Sequence, residues 1–432
     1  MSDSNLPGRP VYIVDGARTP FLKAENKPGA FAAADLAVGC GNILLARQPF
    51  EPTDFDEVIV GCVAPSVDEA NIARIISLRL GCGKKVPAFS VQRNCASGMQ
   101  SLDSAALDIA TGRADLVLAG GTEAMSRSPI VFGAAMATWL GQWAGARTLP
   151  GKLAILTRLR PGFFAPIFGI LRGLTDPVTG LSMGQTAENL ATRFGISRED
   201  MDTFAVRSHI RLAEAQDKGY LDEIIALIDN AGRVYAEDSG LRRDSSMERL
   251  AKLRPVFDRQ FGRVTAGNSA QITDGACLLI LASEAAVKEH DLPTLGRIVD
   301  TQWAGLEPEQ MGLGPVHASS PILQRQGLEL DDIDYWEINE AFATQVLACL
   351  AAWQDDDYCI NELGLDKALG ELDQSRLNID GGGVSLGHPV GTSGARIVLH
   401  ALKVLHRTKG NRAMASLCIG GGQGGATLLE KT

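Results

Sequence analysis

Apolar runs that end in glycine or polar turns recur along the first part of this sequence, and the helical patterns between them constrain the fold more than any other feature. The strand-like runs lie at residues 11–19, 57–63, 87–91 and 114–126. Apolar residues recur at helical spacing at residues 72–80 and 99–112. Alternating strands and helices usually place parallel strands side by side with helices on both faces. The pattern therefore predicts an α/β fold with a mostly parallel sheet.

A second series with the same order of parts occupies the C-terminal part of the chain. Its strand-like runs lie at residues 294–300, 334–343, 377–389 and 414–430, and IGGGQG near Gly420 parallels AGGTEA near Gly120. We interpret this self-similarity as an internal duplication that builds two similar halves around a shared cleft. The predicted domains are an N-terminal half at 1–129, completed by about 270–290, an inserted loop domain at 130–269, and a C-terminal half at 291–432.

The first part of the insertion, residues 132–173, differs in composition from the rest of the chain. It holds two tryptophans, many apolar residues and no acidic residue, together with five basic residues: Arg147, Lys152, Arg158, Arg160 and Arg172. Such a basic, amphipathic stretch is typical of contact with a membrane surface or a partner protein. A cap over an acyl-binding tunnel and a simple packing insertion are the alternatives.

Bulk composition argues against several classes of protein. The formal net charge of −10 disfavours a general nucleic-acid binder, because such binding depends on Lys and Arg neutralising phosphates. Eight cysteines without a CxxC pair indicate a reducing compartment rather than a disulfide framework or a metal site. The most apolar run, residues 161–171, is shorter than the roughly 20 residues of a spanning helix. No secretory signal is evident, so the expected location is cytoplasmic, with peripheral contact at a membrane as an extension.

One cysteine lies where a reactive thiol would be expected. Cys95 follows the alternating apolar segment VPAFSV and precedes Ala96, Ser97 and Gly98, after which the helical pattern begins. Free N–H groups and the helix dipole at such a position favour an anion, so a thiolate there would be stabilised as a nucleophile. A buried structural cysteine is the alternative.

Three further residues occupy similar positions at the ends of strand-like runs. His388 lies among glycines in GGGVSLGHPVGTSGAR, where it could take the proton of Cys95 and later support an oxyanion. Cys418 ends a run before the glycines of CIGGGQGG. Asn339 opens NEAFA, where it could also serve only as a helix N-cap.

Together these motifs resemble the thiolase family, in the family's order and spacing. The resemblance rests on VQRNCASG, NEAFA, GGGVSLGHPVGTSGAR and CIGGGQG, with further matches at MGQTAENLA and TAGNSAQITDGA, and it covers nearly the whole chain. It implies the thiolase fold: two similar βαβαβαββ halves in a five-layered α-β-α-β-α arrangement, with an inserted loop domain. It also implies an acyltransferase of lipid metabolism that acts on coenzyme A thioesters, as in fatty-acid β-oxidation.

The resemblance assigns a role to each of these residues. Cys95 would attack the keto carbon of a 3-ketoacyl-CoA, His388 would activate the thiol, and Cys418 would act as acid and base. One oxyanion hole would consist of His388 and a water held by Asn339, and the other of the backbone N–H groups of Cys95 and Gly420. The resemblance places the substrate-binding residues at Met183, Arg242, Phe257, Ala266, Ser269 and Phe342.

The same resemblance implies the partners of the reaction. No metal and no redox cofactor is expected, since coenzyme A is itself a substrate, and a homodimer or tetramer is expected. Ser182 and Ala270 depart from the biosynthetic pattern, where a His and a Ser are common. The insertion is similar to that of fatty-acid-oxidation-complex β-subunits, which suggests a hydratase/dehydrogenase partner subunit or a membrane surface, whereas NEAFA is similar to the stand-alone enzymes.

The leading hypothesis is thus a thiolase that cleaves 3-ketoacyl-CoA with CoA, or runs the reverse Claisen condensation, through an acyl-Cys95 intermediate. A biosynthetic thiolase that condenses two acetyl-CoA is the first alternative. A ketoacyl synthase is disfavoured by the second cysteine in CIGGG. A non-catalytic acyl-CoA or lipid carrier on the same scaffold is disfavoured because all four reactive residues are present.

Overall fold

The fold combines one large mixed sheet with helices from all parts of the chain. The computed structural model describes residues 6–25 and 27–432. The described strands are β1 (Val11–Arg18), β2 (Leu22–Lys23), β3 (Glu57–Gly61), β4 (Ala88–Val91), β5 (Leu116–Ala124), β6 (Ile130–Phe132), β7 (Pro166–Phe168), β8 (Leu227–Ile228), β9 (Val234–Tyr235), β10 (Thr273–Ser283), β11 (Gly296–Gly305), β12 (Tyr335–Ile338), β13 (Arg412–Ile419) and β14 (Gln423–Glu430).

Fifteen α-helices lie in the same described residues. They are α1 (Ala33–Ala46), α2 (Ile72–Arg79), α3 (Ser97–Ala110), α4 (Ala134–Gly145), α5 (Leu149–Leu156), α6 (Gly169–Gly173), α7 (Met183–Arg193), α8 (Arg198–Asp217), α9 (Met247–Leu250), α10 (Glu284–Glu289), α11 (Gly314–Gln326), α12 (Ala343–Gln354), α13 (Asp356–Leu363), α14 (Gly383–Leu386) and α15 (Ser393–Thr408). Short 3₁₀ turns connect several of them. None of the described helices is long and apolar enough to cross a membrane.

Strand order confirms the prediction of two similar halves. The sheet runs β12-β13-β14-β11-β1-β10-β5-β3-β4, with β2 attached to β10. In the N-terminal half β4, β3 and β5 are parallel, and β10 and β1 then follow antiparallel. In the C-terminal half β12 and β13 are parallel, and β14 and β11 follow antiparallel. The halves meet where β1 pairs with β11 over three residue pairs.

The expectation of a mostly parallel sheet is wrong. Among the nine ladders described in this sheet, six are antiparallel. The reason is visible at β13 and β14, which are separated only by residues 420–422. So short a connection reverses the chain, and reversal makes neighbouring strands antiparallel. Helices connect the strands of each parallel ladder, as the sequence pattern requires.

One predicted strand is also absent from the sheet. Residues 377–382 form only an isolated parallel bridge between Leu377 and Trp336, and α14 follows them. Asn378 and Gly381 adopt positive φ angles of 46° and 83°. Residues in that left-handed conformation interrupt extended pairing, so the segment becomes a loop instead of a strand.

The hydrophobic core is divided into layers, in agreement with the implied five-layered arrangement. Along β3, Val58 and Val60 pack with the core beneath α1 and α2, whereas Ile59 packs with a central core that also contains α3 and α15. A third core lies between the other half of the sheet and α11 and α12. Because successive residues of a strand face opposite sides, both halves of the sheet are covered on two faces.

Helices α3 and α15 form the central layer and cross at glycines. A Cβ atom on Gly98 would lie 2.9 Å from the backbone oxygen of Gly391, and a Cβ atom on Gly394 would lie 2.6 Å from the backbone nitrogen of Met99. Only glycine permits such a close approach of two backbones. Cys95 and His388 lie just before the first turns of α3 and α15, so this crossing brings them toward each other.

Candidate active site

The turn that carries Cys95 is fixed by hydrogen bonds on both sides. Ser97 Oγ accepts a hydrogen bond from the backbone N–H of Arg93 and donates one to the carbonyl of Asn94, both at 2.8 Å. Asn94 adopts a φ of 43°, which asparagine tolerates better than most residues. Its side-chain amide donates to the carbonyl of Gly420 at 2.8 Å. The cysteine turn and the glycine turn after β13 are thereby held together.

The thiol of Cys95 does not favour its anion in the way expected from its helix position. Burial raises the pKa of Cys95, while hydrogen bonds from the backbone N–H groups of Gly420 and of Cys95 itself lower it, with a net rise. Desolvation thus outweighs the N–H groups at the start of α3. A base is therefore needed to generate the nucleophile.

His388 is held as a neutral imidazole with one nitrogen free. Its backbone N–H donates to the carbonyl of Gln271 at 3.0 Å, and Nδ1 lies 2.6 Å from Ser393 Oγ. Ser393 Oγ in turn donates to the carbonyl of Pro389 at 3.2 Å, which assigns the ring proton to Nδ1. Nε2 has no hydrogen-bond partner among the described residues. Burial, and then the charge of Arg396, lower the pKa of His388 to about 4.

Cys95, His388 and Cys418 line a single cavity of about 660 Å³. The six residues given by the resemblance as substrate-binding line the same cavity: Met183, Arg242, Phe257, Ala266, Ser269 and Phe342. Ser182 and Ala270, the two departures from the biosynthetic pattern, line it as well. Residues far apart in the sequence, from both halves and from the insertion, are therefore brought together around one space.

Cys418 lies next to the end of β13 and is almost completely buried, with 1% of its surface exposed. Burial, followed by the nearby thiols of Cys95 and Cys349, raises the pKa of Cys418 well above its usual value. The thiol is thus protonated at neutral pH and can give a proton to an anion beside it. Gly420 follows two residues later, and a Cβ atom there would lie only 3.1 Å from Met183 Sδ.

Asn339 does not line this cavity, although Ala341 and Phe342, which follow it closely in the sequence, do. Its backbone N–H donates to the carbonyl of Ser416 at 2.9 Å, and its side chain is fully buried. Neither the side-chain oxygen nor the nitrogen has a hydrogen-bond partner within the described part of the chain. The N-cap alternative is wrong, because α12 begins at Ala343 with Phe342 in the cap position.

A buried carboxylate that the sequence analysis did not single out connects the two halves beside the site. Glu123 accepts hydrogen bonds from the backbone N–H groups of Val63 at 2.8 Å, Ala64 at 3.0 Å and Gly391 at 3.1 Å. Burial raises the pKa of Glu123 to about 7. Gly391 lies three residues after His388, so Glu123 fixes the histidine loop against the N-terminal half. A carboxylate within the buried strand LVLAGGTEA was the available signal, as a buried charge needs partners.

Ser393 was also missed, although it lies inside the glycine-rich motif. A hydroxyl five residues after His388 gives no signal by itself, because the loop conformation alone brings it to Nδ1. In residues 6–25 and 27–432, no group of three or more His, Cys, Asp or Glu side chains is arranged to hold a metal ion.

Comparison with known proteins agrees with the geometry. Family models for the thiolase N-terminal domain and the thiolase C-terminal domain match residues 11–285 and 292–431. The chain is 38% identical over 426 residues to a 3-ketoacyl-CoA thiolase of Yersinia pestis, covering 98% of this chain and 97% of that one.

Solved structures give the same result. Human mitochondrial 3-ketoacyl-CoA thiolase in complex with CoA superposes with a TM-score of 0.83 at 37% identity, covering 98% of each chain. The acetyl-CoA acetyltransferase of Bacillus anthracis superposes with a TM-score of 0.83 at 35% identity, covering 99% of this chain and 100% of that one. The chain therefore belongs to the thiolase family and is an acyltransferase.

Proposed function

We propose that this enzyme cleaves a 3-ketoacyl-CoA with CoA to give acetyl-CoA and an acyl-CoA shortened by two carbons. The observation that carries the proposal is the convergence of Cys95, His388 and Cys418 on one cavity, with Nε2 of His388 free. The names of the relatives from Yersinia pestis and human mitochondria support the same substrate class. Because the B. anthracis relative is named an acetyl-CoA acetyltransferase, the condensation of two acetyl-CoA is the alternative function.

The first half-reaction forms the acyl-enzyme. Nε2 of His388 takes the proton of the Cys95 thiol, and the thiolate attacks the keto carbon C3 of the substrate. The C2–C3 bond then breaks, which leaves the acyl group on Cys95 and releases acetyl-CoA as its enolate. The protonated thiol of Cys418 gives its proton to C2 and becomes a thiolate.

The second half-reaction reverses each proton transfer. The thiolate of Cys418 removes the proton from an incoming CoA thiol, and the CoA thiolate attacks the acyl-Cys95 thioester. The sulfur of Cys95 leaves and recovers its proton from the His388 imidazolium, which returns all three groups to their starting states. Two products thus leave in turn, as a ping-pong mechanism requires.

Two oxyanions form in this sequence, and each needs donors already in place. We propose that the backbone N–H groups of Cys95 and Gly420, both of which hydrogen-bond the Cys95 thiol, bind the oxygen on the attacked carbon. The enolate oxygen would be bound by His388 and by a water held by Asn339. Support comes from the buried amide of Asn339, which has no protein partner in the described chain.

The CoA-side residues are proposed from their place on the cavity wall. Arg242 supplies a cation, Phe257 and Phe342 supply apolar surface, and Ser269 supplies a hydroxyl that already donates to the carbonyl of Thr265 at 2.7 Å. The aromatic rings of Phe257 and Phe342 contact each other edge to face at 6.0 Å. A phosphate-bearing, partly apolar cofactor-like substrate such as CoA fits this mixture.

A pair of cysteine variants tests the mechanism. We expect Cys95→Ala to abolish thiolysis, and Cys418→Ala to lower turnover by about 10²–10⁴-fold while Cys95 still becomes acylated. Mass spectrometry of the protein after incubation with acyl-CoA detects the acyl group, and release of acetyl-CoA measures turnover. Cys82→Ala, a buried thiol that does not line the cavity, is the matched control. Full turnover by the Cys418 variant would refute its role, and failure of the unaltered enzyme to cleave any 3-ketoacyl-CoA would refute the function.

We further propose that the insertion binds an anionic membrane surface from the cytoplasmic side. Leu149, Leu153 and Phe164 are 72%, 54% and 54% exposed, and the nearest charged residues of the segment are all basic. Exposed apolar side chains beside cations are typical of interfacial helices. A hydratase/dehydrogenase partner subunit on this face is the alternative that the test separates.

Vesicle sedimentation measures this contact. The double variant Leu149→Glu and Leu153→Glu should weaken binding to anionic vesicles by about tenfold or more, because burial of each leucine contributes about 1.5–3 kcal/mol. Ile228→Glu, an equally simple change at a residue that is 66% exposed outside this segment, serves as the control. No binding of the unaltered enzyme to anionic vesicles would exclude the membrane and leave the partner subunit.

We also propose that the enzyme assembles with a second copy of itself. Strand β4 ends the sheet, and its outer edge pairs with no described strand. Phe89 on this strand is 41% exposed, and an unpaired edge with an exposed aromatic is a common site of subunit pairing. Analytical ultracentrifugation should give at least twice the mass of one chain.

A further inference from the structure

A second cavity of about 290 Å³ begins at Cys95 and differs from the larger one in its walls. His388 and Cys418 line only the larger cavity, although the two cavities adjoin and share six lining residues: Cys95, Met125, Leu174, Thr175, Met183 and Val390. One wall of the second cavity comes from the glycine turn after β13. The opposite wall comes from α6 and the residues after it, at the end of the insertion.

The proposed reaction requires the two parts of the substrate, on either side of the attacked carbon, to extend from Cys95 in different directions. The carbons that leave as acetyl-CoA must lie beside Cys418, which protonates C2, and therefore occupy the larger cavity. The carbons beyond the keto group stay bonded to the sulfur of Cys95 and must extend elsewhere. On the basis of the proposed function, we infer that the second cavity binds the alkyl tail of the 3-ketoacyl group and that α6 limits its length.

The chemistry of the walls fits an alkyl chain. Val63, Met125, Ile170 and Leu174 supply apolar surface, and no Lys, Arg or His of the described chain lines the cavity. Its two carboxylates are already engaged by backbone N–H groups. Glu123 accepts three of them, and Oδ1 of Asp176 accepts those of Val178 at 2.8 Å and Thr179 at 2.9 Å.

The volume gives the class of substrate. At about 30 Å³ for a group the size of a water molecule or a methylene, a cavity of about 290 Å³ holds a tail of roughly ten carbons. The expected substrates are therefore 3-ketoacyl-CoA esters of medium chain length. A longer tail would leave the cavity past Val178, which lines it and is 84% exposed.

One residue of α6 offers a direct way to shorten the cavity. Gly173 lines it, and a Cβ atom added there would meet no heavy atom of the described chain within 4 Å. Its φ lies outside the left-handed region. A larger side chain at this position can thus be accommodated by the backbone and would occupy space that the tail needs.

The test compares substrates of increasing length. In the unaltered enzyme, kcat/KM for thiolysis should rise about fourfold per methylene and level off near ten tail carbons. Gly173→Leu should lower the ratio of kcat/KM for 3-ketododecanoyl-CoA, whose tail nearly fills the cavity, to that for acetoacetyl-CoA by about tenfold or more. Gly145→Leu, at an open position at the end of α4 that does not line the cavity, should keep the ratio of the unaltered enzyme.

Each result decides the inference. An unchanged ratio in a folded Gly173→Leu enzyme, or no dependence on tail length in the unaltered enzyme, would overturn it. If Gly173→Leu does not fold, as judged by circular dichroism, Val178→Trp decides the question, because Val178 lines the same cavity and is 84% exposed. Absence of thiolysis of every substrate by the unaltered enzyme would instead refute the proposed function.

Discussion

Three individual side chains in the cavity are held in their uncharged forms. His388 is neutral because burial lowers its pKa to about 4, and the pKa of Cys95 and of Cys418 is raised. If the Cys95 proton moved to His388 before the substrate bound, the two side chains would form an ion pair where burial disfavours both charges. In the proposed mechanism, the proton instead moves from Cys95 to His388 only when the substrate supplies an electrophile.

The lowered pKa of His388 predicts the acid side of the pH profile. Because the folded-state pKa of about 4 lies below the usual 6.5, the imidazole stays neutral as the pH falls from 8 to 5. We expect kcat/KM to show no half-loss near pH 6.5, provided that circular dichroism shows an intact fold. A clear half-loss at pH 6.5 that persists in Glu123→Gln, which removes the carboxyl group with a pKa of about 7, would contradict a buried, neutral base.

The sequence predicted three residues that line the cavity, but not the residues that position them. Cys95, His388 and Cys418 stand in distinctive local contexts, so their motifs are readable from one chain. Glu123 and Ser393 act through contacts that depend on the fold. Glu123 bonds Val63 and Gly391, which lie 60 and 268 positions away, and no local pattern encodes such distances.

Among the elements, the crossing of α3 and α15 sets the relative position of thiol and imidazole. At Gly394, an added Cβ atom would lie 2.6 Å from the backbone nitrogen of Met99 and 2.8 Å from its Cβ. The two helices would have to separate to admit a methyl group. A separation at this point would move Cys95 and His388 apart.

Gly394→Ala should therefore lower both stability and activity. We expect a loss of about 1–3 kcal/mol in the free energy of unfolding by urea, and a fall in kcat of about tenfold or more. Gly141→Ala in the exposed helix α4, where an added Cβ atom meets no described heavy atom within 4 Å, should instead gain about 0.5–1 kcal/mol. Equal effects of the two changes would argue against a tight crossing.

Helices were easier to predict than strand directions. The spacing of apolar residues indicated α2 and α3 within two residues of their observed ends. Strand β10, by contrast, completes the N-terminal half although about 150 residues separate it from β5 in the sequence. Its antiparallel pairing with β1 and β5 depends on how the chain returns, which periodicity does not record.

At the scale of the whole molecule, a buried charge network joins distant segments. His400 of α15 lies 3.0 Å from Glu223 and 3.2 Å from Asp380, and Arg18 of β1 lies 3.2 Å from Glu223 and 2.7 Å from Asp238. Burial alone would lower the pKa of His400, but the carboxylates of Glu223 and Asp380 raise it to about 10. The histidine is therefore a cation at neutral pH.

This raised pKa predicts a loss of stability in alkali. A group with a folded-state pKa above its unfolded value of 6.5 contributes fully below pH 6.5, and its contribution is lost as the pH rises through about 10. The difference in unfolding free energy between the unaltered enzyme and His400→Gln should shrink from pH 6.5 to pH 10. A constant difference across this range would contradict a charged His400.

The two-half architecture could be predicted from the sequence because the internal duplication repeats the same pattern of strands, helices and glycine turns. Two halves with the same order of strands and glycine turns gave the shared cleft, and the family resemblance gave the layers. The buried network was not visible in the same way. Arg18, Glu223 and His400 are ordinary charged residues in the sequence, and only the folded chain removes them from water and pairs them.

The ladder of three residue pairs between β1 and β11 has a consequence for the chemistry. Cys95, the proposed nucleophile, belongs to the N-terminal half, whereas His388 and Cys418, its proposed base and acid, belong to the C-terminal half. A fragment of either side would hold an incomplete set of reacting groups. A small separation of the two halves at the β1–β11 ladder would therefore abolish activity before the protein unfolds.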